Sequence, residues 1–217
     1  MPNWCNTNII ISGKNKKEEC DFYQNLMMWV KEPCIENGFG TNWLGNVVER
    51  SGIAKWDVSI SDFTPTVKCR GCILDVNIDN SGISLQTETA WVPMMKMWKE
   101  ICDKYFPSGY DIVYWAEESG CGVYETNDYM YENSYVFDNQ IESYDDDDCF
   151  NEDELNLMRQ YETMDSCDEK ELIEILSEIL NSDEKDIGKL LKLFNESKFS
   201  DTVFITKWKL VNIEDAE

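Results

Sequence analysis

The sequence predicts an α+β fold of the split βαβ type, and three observations predict it. Stretches of strand-like and helix-like apolar spacing follow one another as strand, helix, strand, strand, helix, strand along the N-terminal half. Glycine, proline and Asn/Asp-rich turns separate them. The composition, 42% hydrophobic and 12% aromatic over 217 residues, is enough to bury a core.

Trp4 to Ser12 alternates, carries Ile9, Ile10 and Ile11, and stops at Gly13, as a strand would. From Glu18 to Val30 the residues Phe22, Leu26, Trp29 and Val30 recur at helical spacing until Pro33 ends the pattern. Glu32 to Lys68 is an irregular crossover in which Gly38, Gly40, Gly45 and Gly52 interrupt Phe39, Trp43, Trp56 and Phe63, with one strand expected over Trp56 to Ser61. Cys72 to Ile78 and Ile83 to Thr89 flank the turn-forming DNSG and read as a hairpin. Pro93 then opens a helix as its first residue, with Met94, Met97, Trp98, Ile101, Cys102 and Tyr105 on one face, and Pro107 and Gly109 close it. Tyr110 to Ala116 is the last strand. This order is the ferredoxin-like arrangement, two helices over an antiparallel sheet. Cys121 to Thr126 and Ser134 to Phe137 are expected to add a hairpin at its edge.

The remainder reads as an acidic insertion followed by a C-terminal α-hairpin plus strand. SCDE at Ser166 to Glu169 has the spacing of a capping box before a helix with Leu172, Leu176, Ile179 and Leu180 on one side. Ser182 starts a second helix carrying Ile187, Leu190, Leu191 and Phe194, and Val203 to Val211 ends as a strand. The expected organisation is therefore one domain over 1–138 and an acidic, helical extension over 139–217.

Charge narrows the function. The 43 acidic and 19 basic residues give a net charge of −24, and the excess is uneven: residues 105–158 hold 15 acidic residues and no basic one. Such a surface repels nucleic acid and anionic membranes and attracts a partner with a basic face. The chain opens MPNWCNTN without the basic and apolar regions of a secretory signal, and it has no run of eighteen apolar residues. A soluble, cytoplasmic protein is expected, with its nine cysteines reduced. There is no histidine, which removes the usual acid/base near neutral pH, the Ser-His and Cys-His pairings and every His-containing metal set.

The remaining motifs carry little chemistry. Cys69-Arg-Gly-Cys72 is a lone Cys-x-x-Cys; zinc needs two more thiolates, and a redox pair opens a helix where this one opens a strand, so two ordinary thiols are expected. DDDDCFNEDE lacks the glycine and the spacing of a calcium loop. Glu117 and Glu118 are neighbours on a strand and point to opposite faces. The tryptophans come without the basic stripe of a nucleic-acid reader, and core packing accounts for most of them. The expectation is no catalytic residue, no cofactor and no metal.

Four segments together resemble a known family: MPNWCNTNIIISG at the start, NGFGTNW at Asn37 to Trp43, LQTETAWVPMMKMW from Leu85, and YWAEESGCGVYE at Tyr114 to Glu125. It is the family of phage-, plasmid- and island-borne proteins with a YubB-like, ferredoxin-like domain, largely of unknown function. The resemblance covers roughly residues 1–138 and implies the fold and a mobile-element origin, not an activity. Here Ser119 stands where the family has proline, and 139–217 has no counterpart.

Joined, these readings lead to an expected non-enzymatic protein that binds and inhibits a host nucleic-acid-binding defence protein, a CRISPR effector or a restriction nuclease, by imitating nucleic acid. The surface expected to touch the partner is Glu142, Asp145, Asp146, Asp147, Asp148, Glu152, Asp153 and Glu154. The alternative is a small enzyme or small-molecule binder with a cleft near Trp43, Trp91, Glu117 and Gly120.

Overall fold

The computed structural model describes residues 3–32, 40–57, 62–64, 67–118, 120, 122–141 and 149–215. The chain divides into two compact units, one of residues 1–128 with 210–217 and one of residues 129–209. The expected boundary at 138/139 would cut through a strand, Tyr135–Asn139, that pairs within the second unit.

In the first unit β1 (Trp4–Gly13) buries alternate residues, Cys5, Thr7, Ile9, Ile11 and Gly13, and leaves Trp4, Asn6 and Asn8 exposed. α1 (Lys16–Trp29) starts at Asn15, whose side chain accepts the Lys17 amide, and packs Phe22, Leu26 and Trp29 inward. The crossover holds α2 (Leu44–Ser51), built on Leu44, Val47 and Val48, and a separate ribbon of β2 (Lys55–Asp57) with β3 (Asp62–Thr64). Of the strand expected over Trp56 to Ser61, Trp56 and Asp57 lie in β2, and residues 58–61 lie outside the described residues. α2 ends at Gly52 with φ 68°, and the Lys104 ammonium and Tyr105 hydroxyl reach back to the free Ser51 carbonyl.

β4 (Gly71–Ile78) and β5 (Ile83–Ala90) form the expected hairpin, with a bulge between Ile73 and Asp75. Pro93 lies just ahead of α3 (Met95–Tyr105), whose buried residues Met95, Met97, Trp98, Ile101 and Cys102 make the helix a core element. β6 (Tyr110–Glu118) and β7 (Val123–Thr126) follow. The sheet order, with a last short strand β11 (Lys209–Leu210) at one edge, is β11-β7-β6-β1-β5-β4, and β1 runs antiparallel to both β5 and β6. α1 and α3 meet in an aromatic cluster in which the Phe22 ring lies 5.5 Å from Tyr105 and 5.2 Å from Phe106.

The second unit orders β8 (Tyr135–Asn139), α4 (Glu152–Met158), β9 (Met164–Cys167), α5 (Glu169–Ile179), α6 (Ile187–Asn195) and β10 (Val203–Lys207). Its sheet runs β10-β8-β9, and a second core forms around Phe137, Met158, Leu172, Leu176, Leu190 and Phe194. Four expectations are corrected here. β7 and β8 do not form a hairpin; β7 joins the first sheet and β8 pairs with β10 and β9. The terminal strand is broken into β10 and β11 (Lys209–Leu210), which belong to different sheets. α5 is capped by Asp168, which accepts the Glu171 amide at 2.8 Å, because Ser166 is held within β9. α6 starts at Ile187 with Asp186 as its cap, since Asn181 at φ 47° turns the chain after α5 and Ser182 serves only the Glu184 amide.

Candidate functional site

The acidic surface divides on inspection. Glu142, Asp145, Asp146, Asp147 and Asp148 lie outside the described residues. Glu152 and Asp153 stand exposed in the first turn of α4, where the helix dipole favours carboxylates. Glu154 does a different job. Its amide and carboxylate complete a capping box with Asn151, and Lys198 donates to it at 2.5 Å. Those bonds, the lysine's first and the Asn151 amide's second, hold its carboxyl below the usual range. Lys198 also lies 5.2 Å over the Phe150 ring, so Glu154 serves the packing of this unit. On α5 the exposed Glu171, Glu174 and Glu178 form a stripe at i, i+3 and i+7. In all, residues 129–209 hold 22 acidic and 8 basic residues.

A second assembly forms at one end of the first sheet. Because β1, β5 and β6 are antiparallel neighbours, the start of β1 meets the ends of the other two. Trp4 pairs with Ala90, Cys5 with Thr89, and Asn6 with both Glu88 and Glu117. Three sequence segments that lie far apart in the chain thus converge. The Trp91 amide donates to the Asn3 carbonyl at 3.0 Å, and the Thr89 hydroxyl donates to the Val92 carbonyl at 2.7 Å.

Between those two bonds the Val92 amide closes on the Ala90 carbonyl at 2.9 Å with Trp91 at φ 67°. This is a γ-turn in its strained, positive-φ form, and a bulky aromatic residue sits at its centre. Trp91 remains 47% exposed, and the Arg70 guanidinium carbon lies over its ring, 5.1 Å from the centroid.

The two glutamates separate as strand geometry requires. Glu118 is buried and accepts the Gly120 amide at 2.9 Å, whereas Glu117 is half-buried on the other face. A Cβ at position 120 would lie 2.6 Å from the side-chain Nδ2 of Asn3 and 2.9 Å from the Glu118 Oε1 that accepts the Gly120 amide, so glycine leaves room for both side chains. Trp43 is not part of this assembly: it is buried, bridges Cys72, and covers Gly45. Cys5 contacts the Thr7 hydroxyl at 3.8 Å, and burial pushes its thiol up to about 11, which keeps it protonated and unreactive at neutral pH. Cys69 is buried and Cys72 half-buried; both are free thiols, and burial raises that of Cys72. Among the described residues no three cysteine or carboxylate groups are placed to hold a metal ion.

Arg70 and Trp4 were not among the sequence candidates. The signal for Arg70 is in the sequence: it is one of three arginines in a chain with 43 acidic residues, and it lies inside the Cys-x-x-Cys. No protein-family model, no curated protein and no solved structure matches the chain.

Proposed function

We propose that the chain is a non-enzymatic binding protein of a phage or other mobile element, acting in the host cytoplasm, whose acidic surface occupies the basic nucleic-acid channel of a host defence protein such as a CRISPR effector or a restriction nuclease. The observation that carries this reading is the net charge of −14 on residues 129–209, on a unit that nonetheless keeps its own core. Carboxylates displayed on folded elements, Glu152 and Asp153 on α4 and the stripe on α5, present charge at fixed spacings, as phosphates do. Association with a cationic groove is then fast and weakens with salt.

The first unit is read as a ferredoxin-like domain of the YubB-like family. Support comes from the strand order β6-β1-β5-β4 with α1 and α3 as the two crossovers, and from the convergence of the family-like segments Asn3 to Cys5, Thr89 to Pro93 and Glu117 to Gly122 at one sheet end. Among the described residues no helix is long and apolar enough to cross a membrane.

The test is capture from host lysate on the immobilised protein at about 50 mM and about 500 mM NaCl, either side of physiological screening. Wild type should retain a basic nucleic-acid-binding protein at low salt only. A variant with Asp145 to Asp148 changed to Asn, Glu152→Gln and Asp153→Asn should lose it, with Glu154 left in place to keep α4 capped. Unchanged capture by that variant, or salt-independent capture, sinks the mechanism.

A further inference from the structure

The sheet of the second unit, ordered β10-β8-β9, leaves one side of β10 without a neighbouring strand among the described residues. The bonds at the two ends of the β10–β8 pairing fix which groups face that side. The Gln140 amide donates to the Thr202 carbonyl, and the Trp208 amide donates to the Ser134 carbonyl. In an antiparallel ladder every second residue bonds to a given neighbour, so Phe204 and Thr206 also direct their N–H and C=O groups toward β8. Val203 and Ile205 direct theirs to the open side, where no described group pairs with them. This edge is apolar on both faces. Val203 and Ile205 lie on the core side, and Phe204, 50% exposed, lies on the other. The opposite edge of the sheet differs, since β9 carries the exposed Asp165 and Ser166. An apolar edge with a charged residue only at its end, Lys207, is a template for another strand.

Charge identifies a second copy of the chain as that strand. When β10 pairs antiparallel with itself through its open groups, Val203 can stand opposite Ile205 of the other copy, with Phe204 opposite Phe204 at a twofold axis. Counting outward, Lys207 of one copy then comes alongside Asp201 of the other. Asp201 ends the short 3₁₀ turn Lys198–Asp201 that leads into β10. Both residues are exposed; Lys207 donates to the Asn133 side chain, and neither makes an ion pair with its own chain among the described residues. Pairings centred on Val203 or Ile205 put Lys207 opposite Phe199 or Val203 instead. The net charge of −24 on each copy opposes the pairing, so it strengthens as salt screens the repulsion.

We propose that β10 is a self-association edge: two copies pair antiparallel through β10 about a twofold axis at Phe204, joining their three-stranded sheets into one continuous sheet. The proposal does not rest on the acidic-surface reading, because it is tested on the purified protein with no host partner. Its salt dependence also has the opposite sign to that of capture by a cationic groove.

The experiment is sedimentation equilibrium of the full-length protein over a concentration series at about 0.05 M and about 0.5 M NaCl, with amide hydrogen exchange on the same samples. A monomer–dimer equilibrium that tightens at the higher salt is expected. In the dimer the Ile205 amide becomes protected, while the Phe204 amide, bonded to β8, is protected at every concentration. Phe204→Asp sets two carboxylates together at the axis and should abolish the dimer; the side chain is half exposed, so the fold is kept. Asp201→Lys sets lysine against lysine twice and should weaken association about tenfold. A less acidic chain would otherwise associate more tightly, so that weakening singles out the contact with Lys207. A protein monomeric at both salts, a dimer whose Ile205 amide exchanges as fast as in the monomer, or either variant associating like wild type overturns the proposal. So does protection of the Ile205 amide in the monomeric protein by an added peptide of alternating valine and lysine, which would give the edge to a foreign basic strand.

Discussion

Glu19 shows how a single carboxylate can tie two elements together. It is 1% exposed in the first turn of α1, and it accepts the Gly13 amide at the end of β1 at 2.9 Å and the Lys16 ammonium at 2.8 Å. Removing it strands a buried backbone donor. Glu19→Ala should therefore cost about 1–3 kcal/mol, read as a fall in the urea midpoint at constant slope, while Glu19→Gln, which keeps an acceptor, should cost less. Equal midpoints for the alanine variant and wild type would mean that water satisfies Gly13 and that the contact is idle. Nothing in the letters distinguishes Glu19 from Glu18, because burial follows from where Gly13 directs its amide. Trp91 is illegible in the same way. Positive φ is anticipated at glycine or asparagine, and the hydrogen bonds that impose it on a tryptophan come from Asn3 and Thr89, residues distant in sequence or silent by type.

Elements were legible where the apolar stripe was wide. α1, α3 and α5 announce themselves because Phe22, Leu26 and Trp29, then Met97, Trp98 and Ile101, then Leu172, Leu176 and Ile179, recur at helical spacing and are the residues buried. α2 is hidden within a glycine-rich stretch, and β7 and β8 are neighbours in sequence that pair with other strands, because proximity in sequence does not decide pairing. β8 finds its partner β10 beyond three intervening helices, which no local pattern encodes. α4 was hidden for the opposite reason: its letters look like part of an acidic run, and only Met158 is buried. Its ends therefore matter more than its face. The Lys198 bond, then the Asn151 amide, lower the folded carboxyl pKa of Glu154. A depressed carboxyl contributes stability that is present above its unfolded pKa of about 4.3 and lost as pH falls through the folded value. The gap in urea midpoint between wild type and Glu154→Gln should thus be full at pH 7 and shrink steadily below about pH 4. A gap independent of pH over that range would show that the carboxylate's charge plays no part.

At the scale of the whole molecule two electrostatic effects compete, and salt separates them. The ion pairs are mainly on the surface, such as Lys17 with Asp21 and Lys170 with Glu174, and exposed pairs of this kind contribute roughly 0–1 kcal/mol each. Against them stands the self-repulsion of a net −24 charge at a pI of about 4.2, summed over every pair of unneutralised carboxylates. Repulsion acts over long distances and is the first to be screened, since the Debye length shortens from about 30 Å at 0.01 M to about 8 Å at physiological ionic strength. Contact pairs at short range lose less. Raising NaCl from about 0.01 M to about 0.2 M should therefore raise the melting temperature of the isolated protein, whereas the proposed partner capture should weaken over the same range. The two expected responses have opposite signs and one origin. A melting temperature that falls with salt would mean that the surface pairs outweigh the repulsion, and the carboxylates would then be engaged within the molecule and not held ready for a cationic groove.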